Sequence, residues 1–323
     1  MSEILDVVKA ITSPCEKLIE AVSNAIGKAY APRHAKKMAD AKAYEIAIIG
    51  QSMRENIDVP INYNAGALAM NTEDFEEFIK RTQRRMAFQE MMKQKNLEAV
   101  VDDAYALLED EDGPVSNEPL DNDWINRFFN TVQDVSNEEM QILWAKVLAG
   151  EVKKPGSFSM RTLETIHNIS KDEAAVFQKL CGYLINISGS VFIPSQTDFL
   201  KDNAIQFSDI MLMGECGLIN SAPMLSIEKP ILARETGITV MNGIILTASS
   251  KSGEEQKIEI GHFPLTTAGK ELWSIIGDLA PREVFLSFAK ALKNENRRFN
   301  VFAHSIISEE DGLIHHEQAD LLA

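Results

Sequence analysis

From Asp121 to Leu184 apolar residues recur at three- and four-residue spacing, and each run follows residues that can start a helix. A strand cannot keep that period, because its alternate residues face opposite sides. Asp123 can cap a helix whose inner face is Trp124, Ile125, Phe128, Phe129 and Val132. Ser136-Asn137-Glu138-Glu139 has the form of a capping box, in which the serine oxygen accepts the N3 amide proton and Glu139 reaches back. The next helix turns Met140, Leu143, Trp144, Val147 and Leu148 to one side, and Gly150 is placed to end it. A turn at 153–157 leads to a helix with Met160, Leu163 and Ile166 spaced for burial. Ser170-Lys171-Asp172-Glu173 is a second capping box, ahead of Ala174, Phe177, Leu180, Cys181 and Leu184.

The flanks read differently. Residues 3–30 carry an apolar stripe interrupted at Pro14, and residues 33–56 form a helix candidate that begins with bases. Such stripes serve core packing or contact with a membrane surface. Residues 72–108 read as one long helix or two in series, with Thr72 as N-cap and Glu73, Asp74, Glu76 and Glu77 at its positive end. Arg81, Arg84 and Arg85 cluster there beside Met86, Phe88, Met91 and Met92, a mixture that suits a partner surface or one side of a long charged helix.

After Asn186 the pattern turns to β-branched runs. Residues 191–194 and 237–247 read as strands, and 257–262 pairs back on the second of these across a turn at 249–253. Residues 207–216 read as a helix, with Ser208 as cap and Gly217 as stop. Leu265-Thr266-Thr267-Ala268-Gly269 is similar to the entry to the last helix of many winged-helix domains. Pro281 opens a helix over 282–293, and 299–307 is extended. The expected fold is mainly α: an N-terminal long-helix region over 1–112, a helical bundle over 120–186, and a winged-helix-like α+β half over 187–323 with an acidic tail.

Charge narrows the function. The 323 residues carry a net charge of −16, which argues against a general phosphate-binding protein. Residues 1–100 balance 14 bases with 14 acids, whereas 101–150 hold 12 acids and 2 bases. Glu109, Asp110, Glu111 and Asp112, followed by Gly113-Pro114, read as an exposed loop. Its alternatives are a solvated linker and a docking surface for a basic partner. Helix 207–216 carries Asp209 and Glu215 and no base, which favours a protein-binding unit over a DNA-binding regulator. Cys15, Cys181 and Cys216 are too few and too scattered for a disulfide framework or a four-ligand zinc site. With no signal peptide and no apolar run near about 20 residues, an intracellular setting is expected.

Phosphate-cradling glycine loops, H-E-x-x-H, C-x-x-C and G-x-S-x-G are absent, so no cofactor and no metal is expected. Glu151-Val152-Lys153 has the spacing of some metal-dependent nucleases but follows a helix, where those residues would need a strand. Arg161 and His167 resemble the R-x(4–6)-H signature of HEPN ribonucleases, in which histidine transfers a proton and arginine stabilises phosphate charge. His315-His316 with Glu309 or Glu310 is a weaker metal pattern.

Asp123-Trp124-Ile125, the phrase Leu143 to Glu151, Pro155-Gly156-Ser157 and Arg161-Thr162-Leu163 resemble an uncharacterised bacterial family, domain of unknown function 2806. Lys17-Leu18-Ile19-Glu20, Ala25-Ile26-Gly27 and Ala41 to Glu45 are similar to the helical starts of some abortive-infection proteins. The resemblance implies a bacterial or prophage-borne cytoplasmic protein and brings no catalytic residues. The expected function is a non-enzymatic interaction or regulatory protein, in phage defence or its regulation, with a protein partner or self-association. A HEPN-like effector ribonuclease using Arg161 and His167 and a winged-helix DNA-binding regulator are the alternatives. Docking is expected at Arg81, Arg84 and Arg85 and at Glu109 to Asp112, with membrane-surface contact through residues 3–30 as a further option.

Overall fold

A computed structural model describes residues 14–26, 72–109, 118–222, 225–277, 280–310 and 313–322. The chain divides into two compact units, Met1–Ser157 and Phe158–Ala323. The 33–56 helix candidate and the early part of the 3–30 stripe lie outside the described residues.

The first unit holds helices α1 (Pro14–Ile26), α2 (Thr72–Glu109), α3 (Asn122–Val132) and α4 (Glu138–Lys153). Pro14 opens α1, where a missing N–H costs nothing. Leu18 and Val22 of α1 are fully buried, as are Val100, Val101 and Ala104 of α2. Phe128 stands at the centre of an aromatic cluster, stacked on Trp124 at 5.3 Å and edge-on to Trp144 at 5.5 Å. Polar side chains fix the α3–α4 turn. The Asn96 amide donates to Gln133 O at 3.0 Å, and Gln141 donates to Val135 O at 2.8 Å.

Two caps sit one or two residues from their expected places. Asp121, not Asp123, accepts from Trp124 N, and Asn137, not Ser136, accepts from Met140 N. α4 also runs through Gly150 to Lys153. Val152 is buried, and so is Glu151, whose carboxylate accepts from Gly156 N at 2.6 Å beyond the helix end. Glu151 and Glu118 stand near the buried Lys17 ammonium; burial still pulls that group below its ordinary pKa.

The second unit begins with α5 (Met160–Asn168) and α6 (Lys171–Cys181). At α6 the capping box is complete: Ser170 Oγ accepts from Glu173 N, and Glu173 accepts from Ser170 N at 2.7 Å. Then come β1 (Ile185–Ile187), β2 (Ser190–Pro194), α7 (Thr197–Asp202) and α8 (Phe207–Glu215). Gln206, not Ser208, precedes α8, and no side chain caps it. Gly217 ends it at φ +74°, with Gly217 N bonded to Gly214 O and Leu218 N to Met213 O, the two bonds of a Schellman ending.

The rest is β3 (Ser226–Ile231), β4 (Thr236–Met241), β5 (Ile244–Ser250), β6 (Gln256–Pro264), α9 (Thr267–Ile276), α10 (Arg282–Glu295), β7 (Phe299–Glu310) and β8 (Leu313–His316). The strands form two four-stranded antiparallel sheets, ordered β1-β2-β6-β3 and β4-β5-β7-β8. The chain is therefore not mainly α, and the winged-helix-like half is corrected with it. The expected strand 237–247 folds back at Asn242-Gly243, where both residues have positive φ as a type I′ turn demands. The expected pairing of 237–247 with 257–262 does not form. β5 pairs with β4 and β7, while β6 pairs with β2 and β3. β3 carries Pro230, which a sheet tolerates at the edge position it occupies here.

Candidate interaction surface

α2 is 38 residues long and carries two different stripes. At about 100° per residue, Leu97, Val100, Val101, Ala104 and Leu108 share one side, and all five are buried. From Glu76 to Lys95 no side chain is buried, a length of about 30 Å. Phe88 is 59% exposed and Met91 54% exposed on this stretch. Large apolar groups held in water carry a standing free-energy cost that a partner removes.

The charges around them are partly unmatched. Lys80 pairs with Glu76 at 3.8 Å and Arg81 with Glu77 at 3.9 Å along the helix. Among the described residues Arg84 and Arg85 have no ion-pair partner, and both are exposed. The structure thus places the predicted cluster Arg81, Arg84 and Arg85 on an open helix, with only its first member paired. Glu109 is exposed at the end of α2, and Asp110, Glu111 and Asp112 lie outside the described residues.

Asp102 and Asp103, also on α2, were not singled out by the sequence. Both are exposed and adjacent, and Asp103 sits above its ordinary pKa through partial burial and then the Asp102 charge.

Arg161 and His167 are both exposed, at opposite ends of α5. Six residues of helix set them about 9 Å apart along the axis and about 120° apart around it, so the helix does not bring them together. His315 and His316 are neighbours on β8; His316 stacks on buried His304 at 4.5 Å, while His315 is exposed. Among the described residues no group of three His, Cys, Asp or Glu side chains is placed to hold a metal ion, and no helix is long and apolar enough to cross a membrane.

Two polar knots tie the second unit together. Glu271 Oε2 on α9 accepts from Ser159 N at 2.8 Å, Ser159 Oγ at 3.2 Å and Thr162 Oγ1 at 2.5 Å at the start of α5. His304 faces Ala319 O at 3.0 Å through Nδ1 and Glu235 Oε1 at 3.3 Å through Nε2, and Glu235 also accepts from Thr247 Oγ1 at 2.5 Å. Both arrangements hold elements in place, and His304 is only 6% exposed.

The family described as Protein of unknown function (DUF2806) matches residues 80–289. The chain belongs to DUF2806. No curated protein and no solved structure matches it. The DUF2806 match begins on the open part of α2 and ends in α10, so it includes Arg84, Arg85, Asp102 and Asp103 as well as the Ser159–Thr162–Glu271 knot. The stretches 159–162 and 265–272, both inside the DUF2806 match, meet in that knot. Thr266 caps α9 by accepting from Gly269 N, and Gly269 lies so close to Leu218 that a Cβ would stand 2.1 Å from its carbonyl oxygen. The small residue in Leu265-Thr266-Thr267-Ala268-Gly269 is set by that approach.

Proposed function

We propose that this DUF2806 protein is a non-enzymatic interaction protein whose docking element is α2. The observation that carries the reading is the exposure of Phe88 and Met91 beside Arg84 and Arg85, which have no ion-pair partner among the described residues. An apolar patch with arginines at its margin is the composition of a protein-binding surface. Docking there buries the apolar groups and gives the arginines acidic partners, so affinity and orientation come from the same helix face.

Hydroxyl-radical footprinting of the unaltered chain tests this, in living cells and in purified form. Met160 and Met211 are each 39% exposed and act as internal references for Met91 at 54%. Met91 is expected to oxidise more slowly than both in cells, because a partner covers it. Oxidation of Met91 as fast as Met160 and Met211 in cells would show an uncovered face and end the reading.

A further inference from the structure

We infer that the partner covering α2 is an acidic amphipathic helix of another protein, laid along the stripe Arg84, Phe88, Met91 and Lys95. This rests on the docking role proposed for α2. The four residues stand four, three and four apart, the spacing at which one helix lies along another. At about 100° per residue they fall within about 60° of one another, on the side opposite Leu97, Val100 and Ala104. All four are exposed, whereas those three are buried. The stripe also lies in a basic island. From Lys80 to Lys95 there are six bases and one acid, a net +5 on a chain of −16, so the rest of the chain stands at −21. Lys80, Arg81 and Lys93 pair with acids of their own helix at 3.8, 3.9 and 3.7 Å. Among the described residues Arg84, Arg85 and Lys95 have no ion-pair partner. Unmatched cations thus bracket the apolar pair Phe88 and Met91.

The order base, apolar, apolar, base selects the occupant. Arg84 and Lys95 are about 16 Å apart along the axis, so a complementary helix carries two carboxylates eleven residues apart with apolar side chains between them. Those apolar groups cover Phe88 and Met91, and the flexible Met91 thioether adapts to their shape. A second copy of α2 does not fit. An identical stripe sets Arg84 against Lys95 in an antiparallel pair and Arg84 against Arg84 in a parallel one, base on base in both. A lipid surface is disfavoured by the geometry. Helices that lie on membranes keep their bases on a face apart from the apolar one. Here Arg84 and Lys95 share the crest with Phe88 and Met91 and would be carried toward hydrocarbon with them. A nucleic acid is a polyanion that runs beyond the island into the field of a remainder at −21. A short acidic helix ends where the island ends, and salt screens it from charges more than about 8 Å away.

Photocrosslinking of the full chain in living cells tests this. Benzoylphenylalanine in place of Phe88 keeps an aromatic ring at the centre of the stripe, and mass spectrometry reads the peptides it captures. The expected product is a segment of another protein with net negative charge, in which acids eleven residues apart bracket apolar residues. Charge reversal supplies the second readout. Arg84→Glu with Lys95→Glu is expected to cut the yield of that product at least about tenfold. Both positions are exposed, so the variant is expected to keep the parent's melting temperature. Should it fail to fold, Arg84→Gln with Lys95→Gln replaces it, and the yield is again expected to fall. A product with a neutral or basic segment, with lipid, with nucleic acid or with a second copy of this chain would overturn the inference, as would an undiminished yield after charge reversal. Protection of Met91 in cells without a product from an acidic helix removes that helix and leaves the docking role of α2 standing. An unprotected Met91 with no product removes both.

Discussion

Glu271→Ala is expected to loosen the second unit by an amount that the geometry bounds. The carboxylate oxygen Oε2 accepts three hydrogen bonds, from Ser159 N, Ser159 Oγ and Thr162 Oγ1. After truncation the fully buried Thr162 hydroxyl keeps Ser159 Oγ, 3.1 Å away, but Ser159 N loses its acceptor. A hydrogen bond to a charged group contributes about 1.5–3 kcal/mol, and a negative charge beside the start of α5 adds roughly 0.3–1 kcal/mol through the helix dipole. Glu271→Ala should therefore cost about 2–4 kcal/mol, and Glu271→Gln, which keeps an acceptor oxygen but not the charge, roughly 1 kcal/mol. Urea unfolding followed by tryptophan fluorescence measures both, with the midpoint falling and the slope unchanged. A double-mutant cycle with Thr162→Val isolates the contact, and a coupling of at least about 1 kcal/mol is expected. Equal loss for alanine and glutamine, or a coupling near zero, would refute the account of Glu271 as the acceptor joining α5 to α9.

Gly269→Ala is expected to cost about 2–4 kcal/mol in the same assay, because its Cβ would stand 2.1 Å from the Leu218 carbonyl oxygen and backbone must move; a loss within about 0.5 kcal/mol would contradict the close approach. Burial pushes the Cys181 thiol up to about 12, and burial with the Glu173 charge pushes Cys216 up to about 11. At mildly alkaline pH both should react with thiol reagents far more slowly than free cysteine, and Cys181 only on unfolding, as peptide mapping would show. Burial lowers the His262 pKa, opposed in part by the Ile260 carbonyl, so the unfolded chain takes up the proton first as pH falls. That contribution is complete above about pH 6.5 and is lost as pH falls toward the folded value. His262→Phe, which can keep the tilted ring contact with Phe192, should flatten the fall in urea midpoint below about pH 6.5, and an unchanged fall would reject the assignment.

The legible parts of this fold were those where one residue's chemistry decides the local outcome. Ser170 with Glu173 and Thr266 with Gly269 each cap a helix through a hydrogen bond confined to four residues. The apolar faces of α3 and α4 were equally legible, since burial there follows the helical period. Tertiary competition hid the rest. Asn242-Gly243 lies inside a β-branched run, and only the pairing of β4 with β5 shows that the run folds back. The partners of β6 come from far along the chain: Ile258 faces Lys229 and His262 faces Pro194. Gly150 stands in α4 because Val152 is buried beyond it and Glu151 finds an amide past the helix end. Local periodicity carries no record of such contacts.

The candidate surface was half legible for a reason specific to α2. The sequence reading of this helix named Met86, Phe88, Met91 and Met92 and did not single out Leu97, Val100, Ala104 and Leu108, which are the residues that form its buried side. The outward stripe has the spacing of a helix–helix seam, yet two of its four positions are Arg84 and Lys95, so an apolar count passes over it. The arginine cluster was visible because like charges stand side by side. That the cluster stands on an open helix face emerges only when α2 is known to be continuous from Thr72 to Glu109, with its opposite side already buried.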